Sequence, residues 1–126
     1  MGQVDLLERT IAFSAELVGF CRKLGVGTDQ VISKQLLRAG ISIGANIHEA
    51  QGGESKADFI SKMSIARKEA LETLYWFRVL ERTDLAPKDV VSKWIDETSQ
   101  LAKILTAILR TSKSTKQARP SLINNY

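Results

Sequence analysis

The chain has 126 residues, 44% of them apolar and 25% charged, with a formal charge of +4 and a pI near 9.4. That gives one domain with a sizeable core and excludes a second independent one. A single cysteine excludes an internal disulfide and points to a reducing, cytoplasmic setting; no apolar run reaches the ~18 residues of a membrane span.

The start, MGQVDLLERT, carries acids where a secretory leader would carry bases. A first helix is expected over residues 4–24. Leu6, Phe13, Leu17, Phe20 and Leu24 recur at three- and four-residue steps, and Leu7, Ile11, Val18 and Cys21 broaden that face. Gly25-Val26-Gly27 should end it, because glycine enters the left-handed conformation of a C-cap without a Cβ clash. Thr28 or Asp29 can cap a second helix over 29–51, its side-chain oxygen taking an orphan backbone N–H.

Ile32, Leu36, Ile43 and Ile47 line one side of the second helix. Its middle is made of small residues: Ala39, Gly40, Ser42, Gly44 and Ala45. Each interior glycine costs about 1 kcal/mol relative to alanine, so two in one helix imply another backbone close by. Gly40 and Gly44 have the spacing of a membrane dimer motif, but Lys34, Arg38 and Glu49 flank them. Close packing in water is the better account.

Gln51-Gly52-Gly53-Glu54 is the clearest turn. Ser55, with Asp58 three residues on, resembles a capping box and opens a third helix over 55–82. Phe59, Met63, Ala66, Ala70, Leu74 and Phe77 run down its apolar side. Pro87 suits the first turn of a fourth helix over 87–111, where its missing N–H is no loss. Val91, Trp94, Thr98, Leu101, Leu105 and Ile108 form that helix's stripe. Residues 113–126 are polar, basic and aperiodic, and are expected to be a flexible tail. Short connections make the expected fold all-α: an antiparallel up-down-up-down four-helix bundle. Tyr75, Trp76, Trp94 and Ile104 exceed what one small core needs. They are either half-buried or candidates for an interface between subunits.

No catalytic constellation emerges, and no cofactor or metal is expected. His48-Glu49 lacks the second histidine of a zinc-protease helix, Gly52 standing in its place. A di-iron bundle needs two Glu-x-x-His pairs, and the chain has one histidine. Glu69 and Glu72 sit among Arg67, Lys68 and Arg78, which reads as a solvated ion-paired face rather than an acid–base pair. Cys21 reads as a core thiol. Arg38, Asn46, Glu49 and Glu72 are read as a polar clasp fixing the register of the second and third helices, a ligand site being the sharper alternative. Buried, they would each need a partner, since an unpaired buried polar group costs about 1–3 kcal/mol.

The run LLRAGISIGANIHEAQGGESKADFISKMSIARKEALETLYW resembles a family of small bacterial four-helix-bundle proteins encoded in intervening sequences of 23S ribosomal RNA genes. More distantly, it is similar to the accessory variability protein of diversity-generating retroelements. Carrying the resemblance are Arg38-Ala39, Ser42-Ile43, Asn46-Ile47, Glu49, Gly52-Gly53 and Ala66 through Glu72. It implies a homopentameric ring of bundles, which would occupy the surplus aromatics. The retroelement relatives bind nucleic acid and a reverse transcriptase through a basic surface.

Three functions follow as expectations. The first is a non-enzymatic oligomer with weak, sequence-tolerant RNA or DNA binding. Its candidate contacts are Arg22, Lys23, Lys34, Lys56, Lys62, Arg67, Lys68 and Arg78, with Lys113, Lys116 and Arg119 of the tail. The second is a protein-interaction scaffold for a neighbouring gene product. The third, an enzyme, requires Glu49, Glu69 or Glu72 in an open pocket with a strongly shifted pKa.

Overall fold

The structure is a computed structural model that describes residues 5–24 and 28–114. Its elements are four helices: α1 (Leu6–Lys23), α2 (Thr28–Gln51), α3 (Lys56–Glu81) and α4 (Lys88–Ser114). No strand occurs among the described residues. The expected glycine cap at residues 25–27 and the Thr28 or Asp29 cap lie outside the described backbone and side chains.

The helices begin where side chains can take orphan N–H groups. Asp5 is extended, and its Oδ1 accepts from Leu7 N–H at 2.9 Å. Ser55 does the same for α3, its Oγ accepting from Asp58 N–H at 3.1 Å. Pro87 stands just before α4 and gives its carbonyl to Val91 N–H at 3.1 Å. Helix α4 runs to Ser114 instead of stopping near Thr111. Its apolar face has not finished there: Ile108, Leu109 and Ser112 are buried, and Lys113 in the last turn suits the negative end of the helix dipole. Lys113 and Ser114 are thus helical, and the rest of the expected tail, residues 115–126, lies outside the described residues.

Buried side chains from all four helices form one core. Phe13 and Leu17 come from α1, Leu36, Ile43 and Ile47 from α2, Phe59, Met63 and Phe77 from α3, and Leu101, Leu105 and Ile108 from α4. Helix α2 packs on α1 and α3, and α3 on α4. The pairings have an order. Leu7 meets His48, Thr10 lies against Gly44, Leu17 against Gly40, and Cys21 meets Ser33. Across the next seam Arg38 meets Glu72 and Glu49 meets Lys62; across the one after, Arg67 meets Thr106 and Phe77 meets Trp94.

The glycines of α2 do what their spacing implied. A Cβ added at Gly40 would fall inside the Leu17 side chain, and one at Gly44 would sit 2.9 Å from Thr10 Cβ and 3.5 Å from its carbonyl oxygen. The α1 backbone passes too closely for anything larger. On its other side α1 behaves differently. The α1 and α4 backbones stay more than 8 Å apart, and long side chains bridge them.

Candidate functional site

Three charged or open surfaces merit attention, and each is built by a different seam. Between α2 and α3 lies a strip of matched charges. Arg38 Nη2 donates to Glu72 Oε2, and Nη1 lies 3.5 Å from Glu69 Oε1. Trp76 Nε1 donates to the same Glu72 oxygen at 3.2 Å. Arg38, then Trp76, holds the Glu72 carboxyl below its usual range, and Glu72 in turn raises Arg38. Further along, Lys62 Nζ donates to Glu49 Oε1 at 2.9 Å. The four residues read as one clasp do not converge: Asn46 turns back, its Nδ2 donating to Ser42 O at 2.8 Å on its own helix. A carbonyl one turn back on the same helix competes with partners on a neighbouring one. The register of this seam is held by Arg38, Glu69 and Glu72 at one level and by Glu49 and Lys62 at another.

Between α1 and α4 the seam is open. Two clefts, of about 450 and about 430 Å³, share Glu16 and Val90 and so run into one another. Trp94 floors the first. It stacks on Phe77 with ring centroids 5.4 Å apart at 12°, and meets Phe13 edge-on at 5.2 Å and 83° and Phe20 at 5.6 Å. Much of the Trp94 ring is thus used within the subunit. Of the other residues singled out as interface candidates, Ile104 and Trp76 are half-buried against the core, while Tyr75 is 59% exposed. A bar of hydrogen bonds crosses the seam: Arg9 Nε and Nη2 donate to the two Glu97 carboxylate oxygens at 2.8 Å each, and Nη2 also to Gln100 at 2.9 Å. That fork geometry is the strong form of an ion pair.

The third surface, the far end of the α3–α4 seam, is cationic. Lys103, Thr106, Ala107 and Arg110 line one shallow depression on α4. Arg67 reaches it from α3, its Nε donating to Thr106 Oγ1 at 2.8 Å. Lys113 follows Arg110 by one turn and is exposed. Among the described residues none of these four cations has an ion-pair partner. Sequence reading named Arg67 and Lys113 but missed Lys103 and Arg110. Their seven-residue spacing, with threonine between, places them on one face and was the available signal.

The remaining candidates scatter. Arg22, Lys23 and Lys34 are exposed near the α1–α2 connection, Lys68 is exposed on α3, and Lys56 is half-buried near its start. Lys62 is neutralised by Glu49 and Arg78 lies 3.4 Å from Glu81. Lys116 and Arg119 lie outside the described residues. For chemistry the surroundings offer little. Among the described residues no group of three or more His, Cys, Asp or Glu side chains could hold a metal ion. Burial pushes the Cys21 thiol up to about 11, Ser33 pulling weakly the other way, so it stays protonated near neutrality. Nor, among those residues, is any helix long and apolar enough to cross a membrane.

Four helices about one core, with ion-paired seams and a basic surface across the α3–α4 seam, define a small all-α protein whose chemistry lies in its surfaces. The chain belongs to the family of 23S rRNA-intervening sequence proteins, whose model matches residues 3–107. It is also similar to a solved protein of unknown function from the S23 ribosomal protein family of Bacteroides thetaiotaomicron. The two share 38% identity with a TM-score of 0.77, over 82% of this chain and 97% of that one. No curated protein matches.

Proposed function

We propose that this protein is a non-enzymatic, cytoplasmic bundle that binds the phosphate backbone of RNA or DNA through the basic end of its α3–α4 seam. The observation that carries the reading is the company Arg67, Lys103, Arg110 and Lys113 keep. On the other seams Arg9, Arg38 and Lys62 meet acids, whereas these four, without an acid partner among the described residues, share a surface with hydroxyls and alanine. Such a surface attracts a polyanion, and phosphate contacts release counterions. The order of pairings across the seams supports antiparallel, up-down-up-down helices. A ring of five such subunits would repeat the basic surface and turn a +4 chain into a strong field. The lowered carboxyl of Glu72, held by Arg38, and the raised thiol of Cys21 argue against acid–base or thiol catalysis at those residues.

Fluorescence anisotropy with a single-stranded RNA and a duplex DNA, at about 50 and 200 mM salt, tests this. Affinity should fall at least ~10-fold with salt, and the Lys103→Glu/Arg110→Glu double variant should weaken both ligands by a similar factor. Binding indifferent to salt and to those substitutions would remove the reading. A second reading, a scaffold for a neighbouring gene product or for sister subunits, is favoured by the apolar face of α1 and α2. There Ile11 is 50%, Val18 40% and Ile41 41% exposed. Ile11→Asp should then shift the sedimentation coefficient or lose a partner in a nuclease-treated pull-down, with nucleic-acid binding retained per subunit.

A further inference from the structure

We infer that Thr106 aims Arg67: it holds the guanidinium by Nε, so that the two Nη groups form a fork for one phosphate of the bound nucleic acid. The inference rests on the phosphate-binding reading above and adds to it a contact with a fixed direction.

The arginines at the helix seams are anchored in two ways. Arg9 gives Nε and Nη2 to the Glu97 carboxylate, and Arg38 gives Nη2 to Glu72. An acid anchors a guanidinium and neutralises it at once. Arg67 is anchored by a hydroxyl instead, its Nε donating to Thr106 Oγ1 at 2.8 Å. A neutral acceptor fixes the group and leaves its charge whole. The hydroxyl is itself fixed, because Thr106 Oγ1 donates to Ala102 O at 2.8 Å, one turn back on α4. Its single proton is committed to its own helix, and a lone pair stays for Arg67. Arg67 is half-buried, whereas Lys103, Arg110 and Lys113 are exposed. A side chain held in this way has less rotamer freedom to lose when a ligand arrives.

A guanidinium grips two oxygens either side-on, through Nε and one Nη, or end-on, through both Nη. Arg9 uses the side-on form on Glu97. At Arg67 Thr106 occupies Nε, so the end-on pair remains, and among the described residues no acid meets it. Two oxygens of one phosphate match such a pair. Lys103 stands three residues before Thr106 and Arg110 four after it, which puts an exposed cation one turn to either side on the same face of α4. Those two supply the attracting field; Arg67 supplies the direction.

The test is the anisotropy of a labelled duplex DNA with the full chain, at about 50 mM salt. Arg67→Lys keeps the charge but loses the fork, and should weaken binding about 10-fold. Thr106→Val keeps the shape but loses the acceptor, and should weaken binding about 5-fold, while Thr106→Ser should stay within about two-fold of the parent. Added to Arg67→Lys, Thr106→Val should cause no further loss, as expected of two residues acting as one. Arg67→Lys or Thr106→Val binding like the parent, or losses that add in the double variant, would overturn the inference; salt-sensitive binding by the parent would leave the wider reading in place. A parent whose binding ignores salt would remove both.

Discussion

Helix α1 meets its two neighbours in opposite ways. Against α2 it lies backbone to backbone, with Gly40 and Gly44 giving Leu17 and Thr10 their space. Against α4 it stands off by more than 8 Å, joined by the rings of Phe13, Phe20 and Trp94 and the Arg9–Glu97 fork. One seam is held by the absence of side chains, the other by their reach. The first tolerates no added atoms; the second has room to lose some.

Substitutions at each seam should therefore differ in kind. The largest effect is expected from Gly44→Leu. Thr10 Cβ sits directly on its backbone and cannot swing aside, so α1 would have to leave α2. Overpacking of this sort costs about 3 kcal/mol or more, a large part of the ~5–15 kcal/mol that holds a domain. Gly44→Ala should cost about 1 kcal/mol net, the clash with Thr10 outweighing the gain in helix propensity. Urea denaturation separates the two, and a stable Gly44→Leu protein would break the account of the close seam.

Trp94→Ala should come next, at about 3 kcal/mol. It removes the ring against which Phe13, Phe20 and Phe77 pack and merges the groove with the core. The same denaturation curve measures it, and a loss under about 1 kcal/mol would mean that the open seam carries little of the fold. The smallest effect belongs to Arg9→Ala, about 1 kcal/mol. The Arg9 and Glu97 side chains are 20% and 35% exposed, so water screens much of their attraction. Raising salt should shrink the difference between Arg9→Ala and the parent; a salt-independent loss would place the value of Arg9 in its packing.

The close seam was legible in the sequence because glycine inside a helix is costly and therefore informative. The four helices were legible too, since Leu6, Phe13 and Leu17, or Val91, Trp94 and Thr98, repeat at helical steps. What escaped was whatever depends on the distance between helices. Periodicity says that Trp94 faces inward but not that α4 stands away from α1, so its bulk looked like surplus surface. Asp5 as the α1 cap was hidden because Val4 fits the apolar pattern, which set the expected start at residue 4 where α1 begins at Leu6. The clasp was half legible: Arg38 and Glu72 do meet. Asn46 could not be assigned, because a carbonyl on its own helix competes with every distant partner. The basic surface was missed for a different reason. Lys103 and Arg110 look like ordinary solvated residues until Arg67 is seen to join them from α3 through Thr106.

The stand-off of α1 from α4 has a dynamic consequence. A helix fastened tightly along one edge and loosely along the other can swing outward as a unit, its own hydrogen bonds intact. Amide exchange should then find α3 protected to the level of global unfolding. The α1 amides should share one lower opening energy, because cooperative units open where interhelix packing is thinnest.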